Sequence, residues 1–228
     1  GTETDVSYTW EVSKDSGTTW STFSEKPALM FVGAGRGHRG SSQHPQFIEL
    51  VALEDISNLN QYRIYSHTNR PNGYNNSRYQ QLSGSVSKGD MILIYYSSSE
   101  FNAFFETSYN SEYDKVIYGG NLIYYDMNNG DDAFTLLWSE KDGVSGFNTN
   151  EDIIDELGTS GLTQAITPVS EWKYYRGWLR RISRTLPKES FDIRDWTICN
   201  ECFYPVGSTN YNSYNSTSRT PYPLNSFT

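Results

Sequence analysis

The chain lacks any apolar run of the roughly 18 residues that a transmembrane helix needs, so the sequence predicts no membrane span. It also lacks an N-terminal stretch that resembles a signal peptide, and it begins with Gly1 instead of an initiator methionine. We interpret it as a processed chain or as a domain cut from a larger protein. An exported parent would already have lost its signal.

Cysteine and histidine are scarce. Cys199 and Cys202 form one C-x-x-C pattern, which suits a redox pair, half of a zinc site, a short local disulfide or two plain thiols. Zinc would need two further ligands, and His38, His44 and His67 show no paired spacing. The sequence therefore favours the local disulfide or the plain thiols.

The same three histidines argue against nucleophilic catalysis. A Ser or Cys nucleophile needs a His base that a third group orients, and no histidine stands at a spacing that pairs it with a nucleophile. The carboxylates of Asp131/Asp132 and Asp152/Asp155 suit an acid–base pair of a glycosidase. In turns between strands such residues more often cap the turn and face water. The sequence thus predicts no catalytic residues.

Basic residues are also few: the chain has 18 Lys and Arg against 27 Asp and Glu, which gives a net charge of −9. Duplex DNA repels such a protein unless its basic residues gather on one face, and one such gathering lies within residues 176–184. Aromatic residues, in contrast, are abundant at 15% and include 18 Tyr. This composition favours a β-rich protein whose half-buried strands carry large rings.

Short apolar runs separated by polar turns predict an all-β fold, either a sandwich or a barrel. The clearest pair is the run 133–138, after the turn Asn128–Asp132, and the run 152–157 before Gly158; we predict that they are neighbouring antiparallel strands. Only residues 99–109 have room for a helical turn. The other predicted strands are 47–53, 62–66, 82–86, 91–96, 103–105, 115–118 and 121–125, with a polar insertion at 69–81.

Alternating residues predict an N-terminal β-hairpin within residues 5–20. Residues 13–20, SKDSGTTW, also match the Asp box, a structural turn of sialidase-type propellers. A propeller repeats this motif in each blade, whereas the chain carries it once.

The glycines of residues 33–42 suit a phosphate loop, but no amphipathic helix follows them. We predict a surface loop there, with a basic tip that can contact an anion.

Seven segments carry a resemblance when they are taken in order. They are Pro45–Leu53, Asn58–Ile64, Leu82–Val86 with Lys88–Ile94, Asn129–Leu136, Ile154–Gly158, Leu179–Arg181 and Phe191–Thr197. Together they resemble the lamin tail domain family, over about residues 28–200. The resemblance implies an immunoglobulin-like β-sandwich, here with an added N-terminal β-hairpin and long loops.

The resemblance also implies a domain organisation. Residues 1–27 form the N-terminal hairpin, residues 28–204 the lamin-tail-like sandwich, and residues 205–228 a tail rich in Tyr, Asn and Ser. By the same resemblance, Trp196 anchors the last strand in the core, and Arg180–Arg181 belong to an edge strand.

Calcium is the metal that the sequence favours. Asp126, Asn128 and Asp132 offer oxygen ligands at alternate positions, with Gly130 for the bend and Asp131 beside them. The distal Glu and the flanking helices of an EF-hand are missing. Alternatively, the turn belongs to the fold and Asp132 accepts hydrogen bonds from backbone amides. The predicted calcium ligands are Asp126, Asn128, Asp131 and Asp132.

A stripe of aromatic and basic residues is the predicted ligand-binding region. On one face of a strand, such rings and guanidinium groups can stack on bases or sugars. Alternatively, the stripe is an edge strand whose rings pack inward and whose Arg residues pair with the surplus carboxylates. The residues of the stripe are Trp172, Tyr174, Tyr175, Arg176, Trp178, Arg180 and Arg181.

These observations predict a non-enzymatic binding or adhesion module of a larger extracellular or cell-surface protein. Its partner is a polymer or a protein at a surface, and the net charge disfavours nucleic acid. The first alternative is an extracellular hydrolase, a nuclease or a glycosidase, or the accessory domain of one. The second is a nucleic-acid contact through the Trp172–Arg184 stripe.

Overall fold

A computed structural model describes the chain between residue 11 and residue 227, with gaps. No helix among the described residues is long and apolar enough to cross a membrane. The described residues are 11–12, 21–22, 29–37, 45–67, 79–105, 108–120, 122–123, 127, 130–139, 152–159, 169–203, 222, 224 and 227.

Strands predominate in the described residues, and the helices are short. The strands are β1 Glu11–Val12, β2 Ser21–Thr22, β3 Leu29–Arg36, β4 Gln46–Ala52, β5 Tyr62–His67, β6 Tyr79–Gln81, β7 Met91–Tyr95, β8 Lys115–Tyr118, β9 Ala133–Trp138, β10 Asp152–Leu157, β11 Gly177–Arg181 and β12 Trp196–Cys199. The helices are α1 Ser98–Phe105, α2 Tyr109–Glu112 and α3 Val169–Trp172, with 3-10 turns at Leu59–Gln61 and Ile193–Asp195.

The larger sheet has six strands in the order β12-β11-β3-β4-β7-β8. All neighbours are antiparallel except β7 and β8, which run parallel. Its central strands β3, β4 and β7 read as nearly continuous apolar runs, because each is buried on both faces.

The smaller sheet has four antiparallel strands in the order β10-β9-β5-β6. Its inward residues Ile64, Leu136 and Leu157 share one apolar core with Phe31 and Ile48 of the six-stranded sheet. The two sheets therefore form a β-sandwich, which confirms the predicted all-β class. The predicted antiparallel pairing of 133–138 with 152–157 is also confirmed.

A second apolar core covers the other face of the six-stranded sheet, which we call its outer face. Phe101 and Phe104 of α1 pack there with Phe47 of β4, and Phe203 and Tyr222 of the C-terminal region join them. Each central strand thus alternates its side chains between two cores.

The N-terminal strands β1 and β2 pair antiparallel, with Glu11 opposite Thr22. β2 follows the hairpin predicted within residues 5–20; apart from Glu11 and Val12, that hairpin, including its turn, lies outside the described residues. The predicted surface loop at 33–42 is wrong at its start, because Gly33–Arg36 continue β3. Glycine is needed inside this strand: a Cβ on Gly35 would lie 2.3 Å from the ring of Phe47.

Four other local predictions were wrong. Residues 103–105 belong to helix α1, and Leu122 and Ile123 are helical instead of extended. Within 82–86 the only bridge among described residues joins Val86 to Ile56. The end of the predicted insertion forms strand β6. Phe101 and Phe104 explain the first error, since their spacing of three places both rings on one helical face.

Candidate functional site

The candidate site lies at one end of the sandwich, where β3 ends and β11 begins. Gly177 of β11 pairs with Arg36 of β3, so the turn before β11 stands beside the last residue of β3. The turn before β9 meets the same place, because the Tyr174 N–H donates to the Gly130 carbonyl at 2.9 Å. Three segments distant in sequence therefore converge there.

Three cations surround the ring of Tyr175. The guanidinium carbons of Arg176 and Arg36 lie 4.6 Å and 5.3 Å from the ring centroid, and the Lys173 ammonium lies 5.3 Å from it. Each distance is within the range of a cation–π interaction. We call these four residues the Tyr175 cluster. Arg36 is buried, whereas Lys173, Tyr175 and Arg176 are half-buried and reach the surface.

The turn that presents Tyr175 is held in a strained, well-fixed conformation. Arg176 has a φ of 50°, in the left-handed region that residues other than glycine seldom adopt. The Tyr175 and Arg176 carbonyls accept hydrogen bonds from the N–H groups of Glu201 at 2.7 Å and Phe203 at 3.0 Å. Such strain persists only where the surroundings impose it, and it concentrates at functional sites.

The C-x-x-C segment supplies that support. A disulfide joins Cys199 and Cys202, whose Cα atoms are 5.6 Å apart; the sequence had left a local disulfide and two plain thiols open. Glu201, between them, is also left-handed with a φ of 58°. A Cβ on Gly177 would lie 1.9 Å from the Cys199 carbonyl oxygen, so the two turns touch through backbone.

Acidic residues of the turn before β9 border the Tyr175 cluster. The Asp131 carboxylate lies 3.9 Å from the Lys173 ammonium, and Asp132 is buried. Burial, followed by the Asp132 charge, raises the pKa of the Tyr174 hydroxyl well above its usual range, so this phenol stays neutral. Among the described residues, the site is therefore a mixed cluster of three cations and two carboxylates.

Calcium binding by this turn stays a prediction. Asp126 and Asn128 lie outside the described residues, and Asp131 faces an ammonium group. No group of three or more His, Cys, Asp or Glu in the described part of the chain is arranged to hold a metal ion. Calcium needs six to eight oxygen ligands, which Asp131 and Asp132 do not supply by themselves.

Five residues of the predicted ligand-binding stripe are buried. Trp172 and Tyr174 belong to the core between the sheets, and Trp178 belongs to the core on the outer face. Arg180 donates to Glu49 at 2.7 Å, and Arg181 donates to Asp155 at 2.5 Å. Only Tyr175 and Arg176 of the stripe reach the surface, so ligand binding stays a prediction that now depends on these two residues.

The strand that carries the stripe is not an edge strand. β11 pairs with β12 on one side and with β3 on the other, which corrects the edge position expected for Arg180–Arg181. The rings pack inward and both arginines pair with carboxylates, as the alternative interpretation of the stripe expected. Because β12 covers the side of β11 that would otherwise be an edge, these two arginines are buried.

A row of buried, hydrogen-bonded polar side chains crosses the four-stranded sheet, on the face that points away from the other sheet. The Thr135 hydroxyl contacts His67 Nε2 at 2.8 Å and donates to Glu156 Oε1 at 3.3 Å. Sequence spacing did not reveal this contact, since it joins three strands. Burial lowers the pKa of His67 to about 4, so the imidazole is neutral at pH 7. All three residues are buried, and a nucleophile must be open to its substrate.

Comparisons with known proteins add no relative. No protein family model matches the chain, and no curated protein or solved structure matches it. The likeness to lamin tail domains therefore stays a resemblance of sequence segments.

Proposed function

We propose that this chain is a non-enzymatic binding module of a larger extracellular or cell-surface protein, and that it binds through the Tyr175 cluster. The observation that carries the proposal is the convergence of Arg36, Lys173 and Arg176 on one half-buried ring, on a turn held in a strained conformation. A rigid, partly exposed group of cations and an aromatic ring suits ligand recognition better than catalysis.

We also propose that the sandwich is of the immunoglobulin-like, lamin-tail type. Two packed sheets of mostly antiparallel strands support this, together with the order of the seven sequence segments. In such sandwiches the ends carry the connections between strands, and connections are where partners are recognised. The Tyr175 cluster occupies one of these ends.

The charge of the cluster indicates the ligand. In the described part of the chain, three cations face two carboxylates there, whereas the whole chain carries a net charge of −9. The cluster is thus locally cationic on an acidic protein, and a ligand with regularly spaced anionic groups gains from it. The proposed ligand is an acidic polymer, such as a sulfated or uronic-acid polysaccharide.

Binding of heparin, as a sulfated probe, tests this proposal with neutral dextran as the negative control. We expect heparin to bind and to weaken as salt screens the charges. The double variant Lys173→Gln/Arg176→Gln should bind roughly tenfold or more weakly, because it removes two charge-assisted contacts. Isothermal titration calorimetry would measure both affinities.

The matched control is Lys88→Gln/Arg184→Gln. It removes the same charge from exposed positions, and Arg184, like Arg176, has a positive φ, of 70°. This control should bind heparin like the unmodified protein. Equal weakening in both double variants would mean that overall charge, and not the Tyr175 cluster, controls binding, and it would reject the proposed site.

The two alternatives predict different results. Release of shorter fragments from a polysaccharide or a nucleic acid, with or without calcium, would favour the hydrolase. Salt-dependent DNA binding through Arg180 and Arg181 has little support, because both guanidinium groups are engaged in buried ion pairs. The same calorimetric titration with duplex DNA would measure it.

A further inference from the structure

The outer face of the six-stranded sheet contains a pocket that is filled by a phenol ring. The ring of Tyr222 lies 5.2 Å from that of Phe47 and 5.6 Å from that of Trp178, both nearly edge-on, and 6.4 Å from that of Phe105. Only 5% of Tyr222 is exposed. The three walls come from β4, β11 and α1, so the pocket is built by parts of the chain far from its occupant.

The floor of the pocket is shaped for a hydroxyl group. A Cβ on Gly33 would lie 1.7 Å from the Tyr222 oxygen, so the missing side chain of Gly33 leaves the space that this oxygen occupies. The Tyr222 hydroxyl donates to Glu49. Arg180 Nη1 donates to the Tyr222 oxygen at 2.9 Å and to Glu49 Oε2 at 2.7 Å.

The polar floor is fully enclosed. Glu49 is completely buried, and its second oxygen accepts a hydrogen bond from Tyr113. The Arg180 guanidinium also lies 5.0 Å from the Tyr222 ring centroid. A ring without the hydroxyl would leave Glu49 and Arg180 each short of a buried partner, which is costly. The pocket therefore selects a tyrosine side chain over a phenylalanine.

The occupant lies far along the chain from Phe203, the preceding described residue of the outer core. Residues 204–221, eighteen in number, separate it from Phe203, and a chain of that length spans at most about 60 Å when fully extended. That reach is several times the ring-to-ring distances of 5.2–6.4 Å inside the pocket. Leu224 and Phe227 also pack against the outer core, so Tyr222 belongs to a short docking segment.

We propose that this pocket is a tyrosine-binding site whose ligand is the C-terminal segment, and that the segment of one copy can fill the pocket of a second copy. Exchange of an identical element makes the same contacts within and between copies, so it costs little beyond association. The site is distinct from the Tyr175 cluster and does not depend on the proposed function.

Two complementary full-length variants test the exchange. Tyr222→Ala keeps the pocket and loses the ligand, whereas Gly33→Ala blocks the pocket and keeps the ligand. Each variant alone should be monomeric by size-exclusion chromatography with light scattering, and their mixture should form a 1:1 complex. Mixing Tyr222→Ala with the double variant Gly33→Ala/Tyr222→Ala should give monomers only. A mixture of the two folded single variants that stays monomeric at high micromolar concentration would overturn the proposal.

A second measurement covers the case in which Gly33→Ala does not fold. A fluorescent peptide of residues 219–228, RTPYPLNSFT, is titrated into full-length Tyr222→Ala and followed by anisotropy. We expect saturable binding, and binding about tenfold or more weaker for the same peptide with Phe in place of Tyr222. Absence of binding, or equal binding of both peptides, would contradict a tyrosine-specific site.

Discussion

At the scale of single residues, His67 links stability to pH. Its imidazole is buried beside Thr135, and burial lowers its pKa to about 4, against about 6.5 in an unfolded chain. Between these values the unfolded chain takes up a proton that the folded protein does not. The contribution of His67 to stability is therefore complete above about pH 6.5 and is lost as the pH falls toward 4.

The variant His67→Gln isolates this contribution. Relative to the variant, the unmodified protein should lose about 3 kcal/mol of unfolding free energy between pH 7 and pH 4. Urea unfolding at several pH values measures the difference. The comparison with the variant is needed because burial raises the pKa of Asp155 to about 6, which changes stability in the opposite direction over part of this range. A difference that stays constant with pH would show that the pKa of His67 is the same in the folded and the unfolded protein.

Glu49 is a buried charge that the sequence signals without identifying its partner. It stands alone in the apolar run Phe47–Leu53, and a charge inside a buried strand requires a partner. The sequence therefore contains a signal for a buried ion pair. It does not identify the partner, because Arg180 is 131 residues away and the register of β3 against β11 decides which arginine meets Glu49.

At the scale of elements, the turn before β9 fixes the Tyr175 cluster. Gly130 has a φ of 64°, and a Cβ there would lie 2.6 Å from the Tyr175 backbone nitrogen. Two requirements thus coincide at one glycine: a left-handed backbone and close contact with a second turn. Gly89 shares only the first, with a φ of 92° and no atom within 4 Å of an added Cβ.

Replacement of each glycine by alanine separates these two requirements. Gly89→Ala should cost about 1 kcal/mol, the penalty of a left-handed alanine. Gly130→Ala should cost clearly more, because the backbone of Tyr175 must also move, and it should weaken heparin binding as well. Thermal unfolding and calorimetry measure the two effects. Equal costs at both positions would mean that the two turns are not in firm contact.

Strands were predictable where polar residues or glycines mark both of their ends in the sequence. The bounds of β8, β9 and β10 agree with the predicted strands, and each lies between such residues. β6 was missed because Tyr79–Gln81 carries no apolar alternation and pairs through its backbone with β5. Strand pairing of this kind is set by a neighbour and leaves no local pattern.

At the scale of the whole molecule, a buried ion pair between described residues links the two sheets. Asp155 of β10 accepts from Arg181 of β11, from the Phe31 N–H at 2.9 Å and from the Lys188 N–H at 3.0 Å. Arg181 also donates through Nε to the Phe31 carbonyl at 2.6 Å. The pair thus connects the four-stranded sheet to two strands of the other sheet.

The sequence predicted the β-sandwich but not this connection or the second core. The class followed from composition and turns, which are local. The outer core depends on α1 and on Tyr222, whose partners Phe47 and Glu49 are distant in sequence. The candidate site was predicted only in part, for the same reason. The sequence showed the basic and aromatic stripe. Which of its residues reach the surface depends on the strands that pair with β11.

A double-mutant cycle on Asp155 and Arg181 tests how strongly the pair holds the sheets together. Each of Asp155→Asn and Arg181→Met should destabilise the protein by about 3–5 kcal/mol, because each leaves a buried group without its partner. The double variant should cost less than the sum, since the second change removes the group that the first left unpaired. Asp192 and Arg194 form an exposed ion pair, so the same cycle there should give almost no coupling. Additive costs at Asp155 and Arg181, measured by urea unfolding at pH 7.5, would mean that the direct contact between these two side chains does not stabilise the packing of the sheets.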